Sequence, residues 1–183
     1  ASWSARRREP RFPGLFLATA FGYALGLATS LAVVFGFDVM PLEARVLVPL
    51  SGMVVGNSLK VVVVAATRAV DGFRDRAGEV EALLALGFDR GRAGREVTSE
   101  ALRLAIRPQV EVTRSVGVVF LPGALTGMIL AGFDPLDAAL VQAVILFLIL
   151  GSASVTGLVV VLAAARHFLT ADGRLVAPVL DTE

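Results

Sequence analysis

The sequence predicts an all-α, polytopic membrane helix bundle, with four transmembrane helices and further amphipathic helices at one membrane surface. Three observations point there. Hydrophobic residues make up 56% of the 183 positions, against about 45–50% in ordinary soluble domains. Four windows (residues 13–37, 46–67, 115–133 and 138–165) contain no Asp or Glu, and only the second holds a charge, Lys60. The basic residues are segregated between these windows rather than scattered.

Each window is long enough to span. About 20 apolar residues at 1.5 Å rise cover a hydrocarbon core of roughly 30 Å. A mean hydropathy of +0.76 leaves little polar chain to cover four such segments in a soluble fold. The first apolar run is too long for the 7–15 residue core of a secretory signal, and no clear cleavage site follows it.

Orientation follows from arginine. Arg6, Arg7, Arg8 and Arg11 precede the first window. Arg68, Arg74, Arg76, Arg90, Arg92, Arg95, Arg103, Arg107 and Arg114 lie between the second and third. Arg166 and Arg174 follow the fourth. Fifteen of the 17 basic residues thus share one side. The positive-inside rule makes that side cytoplasmic, with both ends of the chain and the long loop 68–114 on it.

Composition also excludes. Net charge is +1, so no global field for nucleic acid exists. There are no cysteines and one histidine. A disulfide framework, a thiol nucleophile and a histidine-based metal site are therefore absent from this chain. No Gly-x-x-x-x-Gly-Lys-Ser/Thr phosphate loop is present, since the single lysine is Lys60. No catalytic residues are expected.

Three pairs, Gly22/Gly26, Gly52/Gly56 and Gly123/Gly127, put small residues on one helix face, where helices in lipid approach closely. Pro122-Gly123 falls mid-window and predicts a broken third helix. Freed backbone groups at such a break must meet protein or a water-filled cavity. Pro49 offers a kink in the second helix. In the loop, Val80, Leu83 and Leu84 form the stripe of a short helix, with Gly87 as its stop. A second amphipathic helix is expected over about 92–107, with Ala93, Val97, Ala101 and Leu104 inward. Glu100 pairs with Arg103 across one turn in this reading, and Pro108 ends the helix.

Glu81-Ala82-Leu83-x-x-x-Gly87 resembles the EAA-x-x-x-G element of permease subunits in ATP-binding-cassette (ABC) importers, with Leu83 in place of the second alanine. Longer stretches resemble one family. Residues 49–58, PLSGMVVGNS, are similar to the P-x-x-GM-x-x-GN segment of FetB-type permeases. Residues 84–87, LALG, resemble its L-x-LGA turn, and residues 116–123, VGVVFLPG, its VG-x-V-x-LPG run. Thr126-Gly127, residues 129–132 and 134–136, and Gln142 continue in register. The family's LPGMMTGQ here reads LPGALTGM over residues 121–128, which removes two methionines and a glutamine.

The resemblance implies the membrane subunit of an ABC transporter. Bacterial members of that family are tied to iron export and plant relatives to aluminium tolerance. It implies about three further spans ahead of this region, so that the chain corresponds to the C-terminal two-thirds of a permease. It also implies a cytoplasmic ATPase partner that holds the ATP, no cofactor in this chain, a permease homodimer in the inner membrane, and coupling through Glu81, Ala82 and Gly87. Asn57, Lys60, Pro122, Gly123, Thr126 and Gln142 are the polar or broken positions available to a translocation pathway. A lysine at the centre of a span costs about 2.5–3.5 kcal/mol, and Lys60 lies roughly 10 Å from the inner edge, within partial reach of snorkelling. Ser58 could line a cavity with Asn57, Thr126 and Gln142, and helix–helix hydrogen bonding is the competing role for all four. Met53 and Met128 read as packing residues, and His167 as interfacial. An ATP-independent channel or secondary transporter, or a scaffold for a cytoplasmic partner, would use the same spans without the coupling role.

Overall fold

The structure is a computed structural model that describes residues 14–36, 44–116, 122–170 and 174–176, without the side chains of residues 44–46. Seven helices are present among them: α1 (Leu15–Gly36), α2 (Ala44–Asp75), α3 (Ala77–Ala85), α4 (Arg90–Ala93), α5 (Arg95–Ser115), α6 (Gly123–Leu130) and α7 (Pro135–Phe168). No strand occurs among the described residues; one bridge joins Leu169 to Leu175.

Three helices are long and apolar enough to cross a membrane: Leu15–Gly36, Leu47–Asp75 and Pro135–Phe168. They match the first, second and fourth expected spans. The third differs. Residues 117–121 lie outside the described residues, and α6 covers only eight residues. At helical rise that is about 12 Å, too short to cross alone. α6 begins at the Pro122-Gly123 position where the break is expected, with Pro122 ahead of it in extended backbone (φ −61°, ψ 143°).

The helices join through side-chain caps and left-handed glycines. Gly87 takes φ +85° just beyond α3. The Gly87 amide donates to Leu84 O at 3.0 Å and the Phe88 amide to Leu83 O at 3.1 Å. This pair of bonds satisfies the last carbonyls of the helix and stops it. Gly132 repeats the device after α6 with φ +90°. Asp134 then caps α7, accepting from the Leu136 amide at 2.8 Å, with Pro135 at the first helical position.

α1 and α7 meet over small residues. Gly22, Gly26, Ser30 and Val34 are the buried positions of α1, one every fourth residue. Thr156 Oγ1 donates to Gly22 O at 3.1 Å. A Cβ on Gly26 would stand 2.7 Å from both Ser152 Oγ and Thr156 Oγ1. Only glycine admits that approach. The Gly22/Gly26 expectation thus holds. A Cβ added at Gly52, Gly56, Gly123 or Gly127 would meet nothing within 4 Å. Those two pairs are not helix contacts within the described residues.

The largest departure concerns α5. Pro108 does not end it; the helix runs on to Ser115. Proline removes one ladder bond, but the inward face Val97, Ala101 and Ala105 is almost wholly buried and anchors the half of the helix that precedes Pro108. Ala105, not Leu104, completes that face. Glu100 is bonded by Arg76 (Nη2 to Oε2, 2.6 Å), not by Arg103. Above all, α5 does not lie across the bundle. Gly94 meets Leu169, Val97 meets Gly72, and Leu102 meets Gly157, beside Val61. α5 therefore runs antiparallel to both α2 and α7, and climbs alongside them. The common core is formed where these three helices and α3 converge, around Phe73, Val80, Val97, Ala153, Val160 and Phe168.

Candidate coupling and translocation sites

α3 stands at the Arg-rich end of the bundle. Val80 is its anchor, 2% exposed and part of the core. Leu83 and Leu84 pack against the same core from partly buried positions. The stripe read from sequence is therefore the inward face. Glu81 and Ala82, on the opposite face, are exposed, as is Gly87. Next to them Asp89 caps α4 by accepting from the Arg92 amide at 2.6 Å. The Arg92 guanidinium lies 5.5 Å over the exposed Phe88 ring. Arg76, at the α2–α3 junction, ties this corner to α5. Its Nη2 donates to Glu100, while Nη1 lies 3.2 Å from Glu96 Oε1 without hydrogen-bond geometry.

The pathway candidates are dispersed. Lys60 is exposed on the outer face of α2. Asn57, one turn before it, is half-buried and donates from Nδ2 to Met53 O at 2.8 Å within its own helix. Thr126 is exposed, and its hydroxyl lies 3.4 Å from Pro122 O. Pro122 is half-buried and Gly123 exposed. Gln142 is 5% exposed on α7, and its Oε1 has no hydrogen-bond partner among the described residues. None of these six lines the groove that runs along α5. Met53 is exposed on α2 and Met128 half-buried on α6. His167 closes the last turn of α7, its ring 5.1 Å from that of Phe168. Among the described residues no three of His, Asp and Glu converge as a metal site.

Two features escape the sequence reading. One is the hydroxyl seam, of which the sequence predicts only Ser58 as a helix–helix contact. Ser30 Oγ donates to Leu148 O at 3.4 Å, Thr156 joins α7 to α1, and Ser58 Oγ lies 3.5 Å from Ser152 Oγ across the α2–α7 contact. The run Gly151-Ser152-Ala153-Ser154 is its signal, a cluster of small residues like the glycine pairs. The other is a groove of about 1230 Å³ along α5. It opens between α3 and α4 at Arg76 and Leu83, and continues past Arg103 and Arg107 to Arg114.

The family described as "Uncharacterised protein family (UPF0014)" matches residues 1–169. The chain belongs to this family. It is 29% identical over 158 residues to the "UPF0014 membrane protein STAR2" of Oryza sativa subsp. japonica, covering 86% of this chain and 55% of that relative. It is 30% identical over 156 residues to the "UPF0014 membrane protein YjkA" of Bacillus subtilis, covering 85% of this chain and 62% of the relative. Over 179 residues it is 26% identical to the "Probable iron export permease protein FetB" of Escherichia coli, covering 96% of this chain and 68% of the relative. The chain thus spans somewhat more than half the length of the curated relatives it matches. No solved structure matches it. Family membership and three apolar helices together make this a membrane protein.

Proposed function

We propose that this chain is the membrane permease part of an ABC-type exporter in the inner membrane, driven by a separate cytoplasmic ATPase that docks on α3. The Arg-rich end of the bundle faces the cytoplasm in this reading, with both chain ends on that side. The observation that carries it is the construction of α3. The helix is clamped to the core through Val80 and stopped by the left-handed Gly87. It offers Glu81 and Ala82 outward from the end of the bundle. A short rigid helix so mounted transmits a push from a partner to α2 and α5, which meet it through Arg76. The unpartnered faces of Gly52/Gly56 and Gly123/Gly127 fit closure by a second permease copy or by further spans.

The FetB relative's printed name supports metal export, of iron, as the cargo class. Asn57, Lys60, Pro122, Gly123, Thr126 and Gln142 remain the polar positions at which a pathway through the assembled permease is to be sought. The decisive experiment is co-purification. Glu81→Lys is expected to abolish recovery of a phosphate-loop ATPase with the membrane protein, while the permease itself still inserts. Normal recovery with Glu81→Lys would remove the docking role and favour an ATP-independent channel.

A further inference from the structure

The outer face of α5 carries Arg103, Arg107, Glu111 and Arg114, all exposed. In a loop at the membrane surface these charges would need no explanation. The register of the bundle lifts them off the surface. Thr156 meets Gly22, and its neighbour Gly157 meets both Val61 and Leu102. These four helices therefore share one level. On α1 that level is seven residues above Leu15, about 10 Å into a helix about 33 Å long. α5 climbs on from there. Along its axis Arg107 stands about 7 Å beyond Leu102, Glu111 about 13 Å and Arg114 about 18 Å. Arg107 is thus near the middle of the span defined by α1.

Charges at that depth do not face lipid. They turn to protein or to a water-filled cavity, because an uncompensated arginine at the centre costs at least about 2.5–3.5 kcal/mol. α2 and α7 already occupy the opposite face of α5, through Val97, Ala101 and Ala105. Arg107 does bind Glu111 at 2.9 Å, yet their side chains are 71% and 61% exposed. The groove beside them is continuous from α3, at the Arg-rich end, up to Arg114. Arg103 and Arg114 have no carboxylate within 4 Å among the described residues. Beyond the level of Leu102 the groove is lined by Arg103, Arg107 and Arg114 against Glu111 alone, while Glu79, Glu96 and Glu100 line it nearer the Arg-rich end.

We infer that this face of α5 lines a water-filled vestibule, open to the cytoplasm, whose field gathers anionic solutes bearing carboxylate or phosphate groups. Guanidinium groups match those oxyanions in geometry and charge. A metal enters such a vestibule as an anionic complex, and a bare cation is repelled. The inference rests on the permease reading for its direction, but not on the ATPase.

The chain has no cysteine, so single thiols report cleanly. Val110 lines the groove and leaves every charge in place. The protein, expressed at its native length without other cysteines, is labelled in inside-out membrane vesicles. The reagents are sulfonatoethyl (anionic) and trimethylammonioethyl (cationic) methanethiosulfonate. Val110→Cys is expected to react with both from the cytoplasmic side, the anionic reagent at least about five-fold faster relative to a small free thiol. Adding Arg107→Gln is expected to shrink that ratio. Phe147→Cys, on the exposed apolar face of α7, is expected to react only with lipid-soluble N-ethylmaleimide. The inference is overturned if Val110→Cys behaves like Phe147→Cys, if it reacts only after unfolding in SDS, or if the cationic reagent is favoured. Loss of ATPase recovery plays no part in this readout, so the docking role and the vestibule stand or fall separately.

Discussion

At the scale of single residues, the bundle depends on atoms that are missing. Gly26 lets α1 settle against Ser152 and Thr156, and the backbone oxygen of Ser152 would lie 2.9 Å from an added Cβ. A backbone atom cannot rotate away, so Gly26→Ala must push the helices apart. The expected loss is about 1–3 kcal/mol, the usual cost of overpacking. Gly151→Ala, with open space around its position, is expected to change stability by less than about 0.5 kcal/mol. Reversible unfolding in mixed detergent micelles compares the two. Thr156 is the polar counterpart, its hydroxyl spanning Ser152 O at 2.8 Å and Gly22 O at 3.1 Å. Thr156→Val keeps the shape and removes the bond between helices, which is expected to cost about 0.6 kcal/mol and at most about 1.7. The same unfolding measurement checks it. The glycines announce themselves by their spacing. Their partners do not, because serine and threonine within an apolar run look the same whether they bond their own helix or the next.

At the scale of elements, α3 and α5 separate what pattern reveals from what contact decides. α3 is legible: Val80, Leu83 and Leu84 point inward as their spacing requires, and Gly87 stops the helix. Its left-handed φ of +85° makes a sharp prediction. Gly87→Ala places a Cβ in a conformation that costs roughly 1–2 kcal/mol. The amides of residues 87 and 88, which close the final turn on Leu84 and Leu83, are then expected to exchange with solvent about ten-fold faster or more. Hydrogen exchange read by mass spectrometry resolves that segment. α5 is legible only in part. Its amphipathic period is visible, but its start is not: the helix expected from about residue 92 is divided at Gly94, with Ala93 ending α4 and α5 beginning at Arg95. Pro108 and the arginines around it argue for a surface loop. What makes α5 a climbing helix is the fit of Val97 into Gly72 and of Leu102 onto Gly157, two tertiary contacts that no local pattern encodes. The third span departs differently. Its apolar run is continuous in sequence from Ser115, yet α5 stops at Ser115 and α6 starts only at Gly123.

At the scale of the whole molecule, α1, α2 and α7 are readable because lipid imposes the simplest of patterns, a long apolar run with no acidic residue and, in α2 alone, one lysine. The arrangement of those helices follows from the small residues between them, and the placement of α3 and α5 from the core they share with α2 and α7. Such a layout joins an outward-facing short helix at the Arg-rich end to a charged face along α5 by one continuous packed unit. Arg76, at the head of α3, meets Glu96 and Glu100 on the wall of the groove. That connection is what the permease reading requires of a coupling element. The measurement that addresses it most directly is site-specific photo-crosslinking from position 82 in native membranes. The account predicts one dominant product, joining this protein to a polypeptide with a phosphate-loop ATPase sequence, and its disappearance when Glu81→Lys is introduced. A probe at position 82 that crosslinks only to lipid, or to no ATPase at all, would contradict it.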